Sequence, residues 1–110
     1  EKGIPVGISH DAPATQPLPN IGIYASVARK TLRGNVLGNK ESVDAETALG
    51  FYTMPAAKHS FMDNVIGSLE VGKYGDLAVW NFNPLDVNSE KLKEWECQMT
   101  FVNGKKVYEA

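Results

Sequence analysis

The pattern of apolar and polar residues predicts helices in the first half of the chain and strands in the second. A continuous apolar run, Ile4–Ile8, is typical of a strand that is covered on both faces. Prolines at positions 13, 17 and 19 predict a loop after it. Apolar residues then recur at three- and four-residue spacing over Ile21–Leu32, which predicts an amphipathic helix that stops at Gly34.

Two shorter helices are expected before the composition changes near Asp63. Ser42 is placed to cap the first of them, Val43–Thr53. Pro55 is unsuited to a helix interior but favours a first helical turn, so it predicts a separate helix over Pro55–Met62.

Beyond Asn64 the chain reads as short strands separated by turn residues. The Asn103-Gly104 pair predicts a tight hairpin turn, because both residues tolerate positive φ. Ser89 is expected to cap a short helix, Glu90–Trp95. The predicted strands are Val65–Leu69, Asp76–Phe82, Glu96–Asn103 and Lys105–Glu109.

Composition narrows the class of protein. The 110 residues fall well short of the roughly 250 of a complete α/β barrel. A net charge of -2 gives no basis for binding nucleic acid or an anionic membrane, and no apolar run is long enough to span a bilayer. Cys97 is the single cysteine, which excludes an internal disulfide and fits a reducing compartment, so we expect a cytoplasmic protein.

Four stretches, in this order, resemble the end of a metal-dependent amidohydrolase, in particular amidohydrolase family 3. Residues 7–13, GISHDAP, are similar to the family's GSDAP at the end of the last barrel strand. Residues 48–53, ALGFYT, correspond to its ALxxYT helix. Residues 67–79, GSLEVGKYGDLAV, are close to its GSLxxGKxADLVV hallmark, and residues 102–108 resemble its closing hairpin.

The resemblance implies an α+β fragment built from two parts. Residues 1–64 would be the last strand and the helices of a TIM-type (β/α)8 barrel. Residues 65–110 would be the C-terminal part of a small β-sandwich of the composite, urease-like kind. Since the chain starts at Glu1 without an initiator methionine, we expect it to be a portion of a longer protein.

The family hydrolyses carbon–nitrogen (non-peptide) or related bonds of small molecules with a divalent metal, commonly zinc, that activates a water. By resemblance, Asp11 would contact that metal and act as general base in the full-length parent. Taken alone, an aspartate at this point can instead bond the amides of its own turn. The other ligands would come from earlier strands, so we expect the isolated chain to hold no metal and to be inactive.

The other polar residues are not expected to carry catalysis or to bind a metal. His10 stands where the family often has serine, and as a neighbour of Asp11 it is expected to point away, toward substrate or solvent. His59 has no second histidine at helical spacing and is expected to be a solvated or packing residue. Ser9 and Ser60 lack a histidine–acid arrangement, Cys97 is expected to be buried and inert, and Lys73 to be a solvated turn residue.

Three questions stay open from the sequence alone. The aromatic residues Trp80, Phe82, Trp95 and Phe101 favour a sandwich core over a stacking surface. The unpaired edges of Ile4–Ile8 predict either pairing with the chain's own β tail or a homodimer. The rival to a hydrolase is a non-catalytic, β-rich binding or regulatory module derived from the same fold.

Overall fold

The computed structural model describes residues 3–110, which form a small α+β unit with a three-stranded antiparallel sheet in the order β1-β2-β3. Short 3-10 helices lie at Asn39–Glu41, Pro84–Asp86 and Ser89–Glu94. No helix in residues 3–110 has the length and apolar character needed to cross a membrane. The longer elements are α1 (Pro19–Ala28), α2 (Ala45–Gly50), α3 (Met54–His59), β1 (Leu77–Trp80), β2 (Cys97–Val102) and β3 (Lys105–Glu109).

Helix α1 confirms the first predicted helix but ends before the expected stop at Gly34. Arg29 adopts a left-handed conformation with φ of 49° and closes the helix, its N–H bonding the carbonyl of Ala25. The chain then doubles back, because the carbonyl of Arg29 accepts a bond of 2.8 Å from the N–H of Leu37. The helix therefore ends where the chain reverses, and the spacing of apolar residues within the helix does not predict that reversal.

Helices α2 and α3 confirm the predicted pair, with one correction to the cap. Asp44, not Ser42, caps α2, since its carboxylate accepts a 2.7 Å bond from the N–H of Thr47. That bond lowers the pKa of the Asp44 carboxyl. Pro55 lies in the first turn of α3, as predicted.

Ile4–Ile8 does not form the predicted strand. It has no regular secondary structure, and Ile4 and Val6 are exposed. A strand is defined by pairing along its edges, and within residues 3–110 no strand lies beside this run. Its backbone joins the helices instead, through a 3.3 Å bond from the N–H of Ile8 to the carbonyl of Phe51. Pairing with the β tail is therefore wrong, and the homodimer stays a prediction.

Val65–Leu69 is the second predicted strand that does not form. The N–H groups of Val65 and Ile66 both bond the carbonyl of Met62, which folds the segment into a turn. The other three predicted strands are present, and the Asn103-Gly104 hairpin is confirmed, with φ of 49° and 73°. The short helix near Ser89 is a 3-10 helix, and Asn88 rather than Ser89 caps it.

The hydrophobic core joins the α1–α2 pair to the segment before β2. Trp95 stacks on Trp80 with ring centroids 3.7 Å apart, and its indole N–H donates to the carbonyl of Phe82. Residues from both sides of position 64 contribute, so the division into 1–64 and 65–110 stays a prediction. The buried cluster consists of Ile23, Tyr24, Ala48, Leu92 and Trp95.

Candidate functional site

Asp11 lies in a turn over residues 11–14, directly after the irregular opening segment. Its φ of 48° is in the left-handed region, which few residues other than glycine adopt. The N–H of Ala14 closes the turn on the carbonyl of Asp11 at 2.8 Å. The Asp11 side chain is exposed, and within residues 3–110 its carboxylate accepts no hydrogen bond. The turn thus presents an unpaired carboxylate.

His10 faces Tyr52 rather than solvent, so of the two positions expected for it, solvent exposure is wrong and substrate contact stays a prediction. Its ring is half-buried against Tyr52, with the rings stacked at 5.6 Å and an interplanar angle of 24°. The Nε2 atom of His10 lies 3.0 Å from the Tyr52 hydroxyl. Burial raises the pKa of that hydroxyl. Sequence reasoning missed Tyr52 as a partner, although it is the tyrosine of the ALGFYT match.

Within residues 3–110, the other candidates form no hydrogen bond with the Asp11 carboxylate. His59 is exposed and its Nε2 lies 3.2 Å from the carbonyl of Pro5. The Ser60 hydroxyl donates to the carbonyl of Ala56 within its own helix. Cys97 is half-buried in β2 rather than fully buried. The Ser9 hydroxyl accepts a 3.4 Å bond from the N–H of Asp11, and within the described residues neither Ser9 nor Ser60 bonds a histidine ring.

The residues present do not by themselves fit a metal centre. Across residues 3–110, no group of three or more histidine, cysteine, aspartate or glutamate side chains is arranged to hold an ion. A hydrolytic metal site needs about three protein ligands, and this chain can offer Asp11 as one. The Nε2 atom of His10 contacts the Tyr52 hydroxyl, and the Nε2 atom of His59 contacts the Pro5 carbonyl.

An apolar cleft of about 1190 Å³ opens between the helices and the sheet. Asp11 does not line it, whereas Tyr52 does. Its other walls include Leu49, Ile66, Leu77, Trp80 and Phe82. The cleft and the carboxylate turn are therefore separate features, and Tyr52, which lines the cleft, contacts His10 just before the turn.

Lys73 stabilises the hallmark segment, residues 67–79, through hydrogen bonds and an ion pair. The prediction that Lys73 is a solvated turn residue is therefore wrong. The Lys73 side chain is only 10% exposed. Its ammonium donates to the carbonyl of Asp63 and to the Ser68 hydroxyl, each at 2.7 Å, and pairs with Glu70 at 3.0 Å. The Ser68 hydroxyl and this ammonium together lower the pKa of the Glu70 carboxyl.

Two hydrogen bonds join the end of the hallmark segment to the turn of the β2–β3 hairpin. Asp76 accepts a 2.7 Å bond from the N–H of Asn103, and the carbonyl of Gly75 accepts one of 2.9 Å from Gly104. Gly72 has a positive φ of 97°. A side chain at Gly75 would meet the Gly104 backbone at 3.1 Å.

Replacing Gly67 by alanine is expected to destabilise the chain by about 1.5 kcal/mol more than replacing Gly72. Both glycines have strongly positive φ, 93° and 97°, so the backbone strain is similar in the two variants. A Cβ on Gly67 would lie 2.7 Å from the Cβ of buried Ala57, whereas Gly72 faces open space. Urea denaturation of both variants measures the difference, and equal stabilities would show that this contact is unimportant.

A family model described as Amidohydrolase family matches residues 1–108. The chain is 33% identical over 109 residues to N-substituted formamide deformylase of Arthrobacter pascens, covering 99% of this chain and 20% of that protein. It is 28% identical over 88 residues to 5-methylthioadenosine/S-adenosylhomocysteine deaminase of Teredinibacter turnerae, covering 79% of this chain and 20% of that protein.

A crystal structure of an amidohydrolase from Thermotoga maritima shares the fold, with a TM-score of 0.71 and 22% identity over 98% of this chain and 24% of that one. The chain spans 20% of the length of each curated relative. Since the family model covers nearly every residue, the chain belongs to the amidohydrolase family.

Proposed function

We propose that the chain is part of a hydrolase that acts on a carbon–nitrogen (non-peptide) or related bond of a small molecule. The observation that carries the proposal is the unpaired, exposed carboxylate of Asp11, held in the GISHDAP turn of a chain that belongs to this family. The names of the two relatives, a deformylase and a deaminase, describe cleavage of carbon–nitrogen bonds in those proteins.

Asp11 is the proposed proton acceptor. A carboxylate that is exposed and has no hydrogen-bond partner is free to take a proton from the water that attacks the substrate. It would also supply one oxygen ligand to a divalent ion, commonly zinc in this family. The remaining ligands would have to come from residues outside 3–110, because the described residues offer no ligand set.

Hydrolysis by the complete protein that carries this sequence tests the proposal. We expect release of formate from an N-substituted formamide or of ammonia from an aminopurine nucleoside, the classes that the relatives' names indicate. A complete protein with bound metal that released neither formate nor ammonia would contradict the proposal.

The isolated 110-residue chain serves as the comparison. We expect it to release neither product and to lose added zinc on dialysis, because one carboxylate in water is too weak a ligand set. Stoichiometric zinc retained at sub-micromolar affinity by the isolated chain would contradict this expectation.

The open apolar cleft favours a second candidate function, a non-catalytic module that binds an apolar ligand or segment. The cleft of about 1190 Å³ excludes Asp11, so binding there would not depend on the carboxylate. A complete protein that binds an aminopurine nucleoside without turnover, and binds it equally well as Asp11→Asn, would favour the module. A cytoplasmic location stays a prediction under either function.

A further inference from the structure

We infer that Tyr52 is a positioning residue for Asp11. Its hydroxyl holds the His10 ring in place. The His10 residue then fixes the backbone of the 11–14 turn, which orients the Asp11 carboxylate. The inference rests on the proposed function, since it assigns Tyr52 a role only through Asp11. It adds a residue that does not itself touch substrate.

The Asp11 turn needs support from outside its own loop. A left-handed φ at a residue other than glycine is unfavourable and persists when its surroundings hold it. The carbonyl of His10 accepts a bond from the Thr15 hydroxyl, and Ala14 bonds Asp11. These partners all lie in the same exposed loop, so they close the turn without attaching it to the body of the molecule.

Two contacts attach the chain just before this turn to the body of the molecule. The N–H of Ile8 bonds the carbonyl of Phe51, and the His10 ring, which lies next to Asp11, contacts Tyr52. His10 and Tyr52 are 42 positions apart and their atoms lie 3.0 Å apart. Within the described structure, this is the hydrogen bond that connects residues 9–16 to another helix or turn. Because His10 immediately precedes Asp11, a displaced His10 ring would release the backbone at Asp11.

Tyr52 is itself firmly placed. It is partly buried and packs against the buried core cluster, which includes Ile23 and Ala48. Its hydroxyl reaches His10 across Gly22 of helix α1. A Cβ on Gly22 would lie 2.0 Å from the Tyr52 hydroxyl and 3.3 Å from Cε1 of His10.

The glycine at position 22 is informative because glycine weakens a helix interior by roughly 0.5–1 kcal/mol relative to alanine. Here the smaller residue leaves room for the hydroxyl and the imidazole to meet. Gly22, Tyr52 and His10 therefore form one matched contact drawn from three segments of the chain.

Tyr52→Phe tests the inference, because it removes the hydroxyl and keeps the ring in the core. In the complete protein we expect kcat to fall about 10-fold with KM within twofold of wild type, since substrate binding is untouched and the base is misaligned. In the 110-residue chain we expect the NMR order parameter of the Asp11 amide to fall from about 0.85 to about 0.6.

Two helix glycines give a matched pair of variants. Gly22→Ala pushes the Tyr52 hydroxyl aside and is expected to reproduce both effects of Tyr52→Phe. Gly50→Ala, also in a helix but facing open space, is expected to leave both readouts at wild-type values. The double variant Gly22→Ala/Tyr52→Phe is expected to be no worse than Tyr52→Phe, because both changes remove the same contact.

The outcomes separate this inference from the function on which it rests. A rigid Asp11 amide in Tyr52→Phe, or equal effects of the two glycine variants, overturns the inference and leaves the proposed function standing. An Asp11→Asn protein that is as active as wild type overturns the proposed function instead, and with it the catalytic consequence of the Tyr52 contact.

Discussion

Asp11→Asn in the complete protein is expected to lower kcat/KM about 10³-fold, in the range found when a general base is removed. The amide has nearly the same size as the carboxylate but cannot accept a proton from water and is a weaker ligand for a cation. Asparagine also adopts the left-handed conformation readily, so the turn with φ of 48° is expected to persist. Steady-state kinetics measures the loss, and an unchanged thermal midpoint shows that the fold is intact.

Asp63→Asn is the matched control for this variant. Asp63 lies outside the 11–14 turn. Its backbone carbonyl accepts a hydrogen bond from Lys73, and the substitution keeps that carbonyl. We expect its kcat/KM to stay within twofold of wild type. An Asp11→Asn protein that retains more than a third of wild-type kcat/KM would exclude Asp11 as the base.

Lys73→Met is expected to lower the free energy of unfolding of the chain by about 3 kcal/mol. The methionine fills the space of the apolar stem but leaves the Asp63 carbonyl and the Ser68 hydroxyl without their 2.7 Å donor. Bonds from a charged group contribute about 1.5–3 kcal/mol each, and this ammonium is largely removed from water. The exposed Glu70 carboxylate stays solvated after its partner is lost, so the contribution of this ion pair is small.

Urea and thermal denaturation measure this effect, with Lys105→Met as the control. Lys105 is exposed in β3 and we expect its replacement to change stability by less than about 0.5 kcal/mol. For a chain of this size, the Lys73 variant should melt roughly 10 °C or more below wild type. Equal midpoints for the two lysine variants would show that the hallmark segment is held by its glycine turns alone.

Local sequence pattern was sufficient for much of the architecture. The three helices, the strands β1 to β3 and the hairpin at Asn103-Gly104 were all predicted, because each depends on spacing or on φ preferences within a few residues. The family, too, was identified from short motifs, and the match over residues 1–108 confirms it. Asp11 was singled out in the same way, and its role stays a prediction.

Tertiary structure decided everything that depends on a distant partner. Ile4–Ile8 has the composition of a strand, but a strand requires a neighbour to pair with, and the described residues supply none beside it. The depth at which Lys73 is buried follows from three groups that the surrounding turns bring together. His10 faces Tyr52 because two segments 42 residues apart fold against each other across Gly22. Such contacts are set by packing over the whole chain, which no local window of sequence contains.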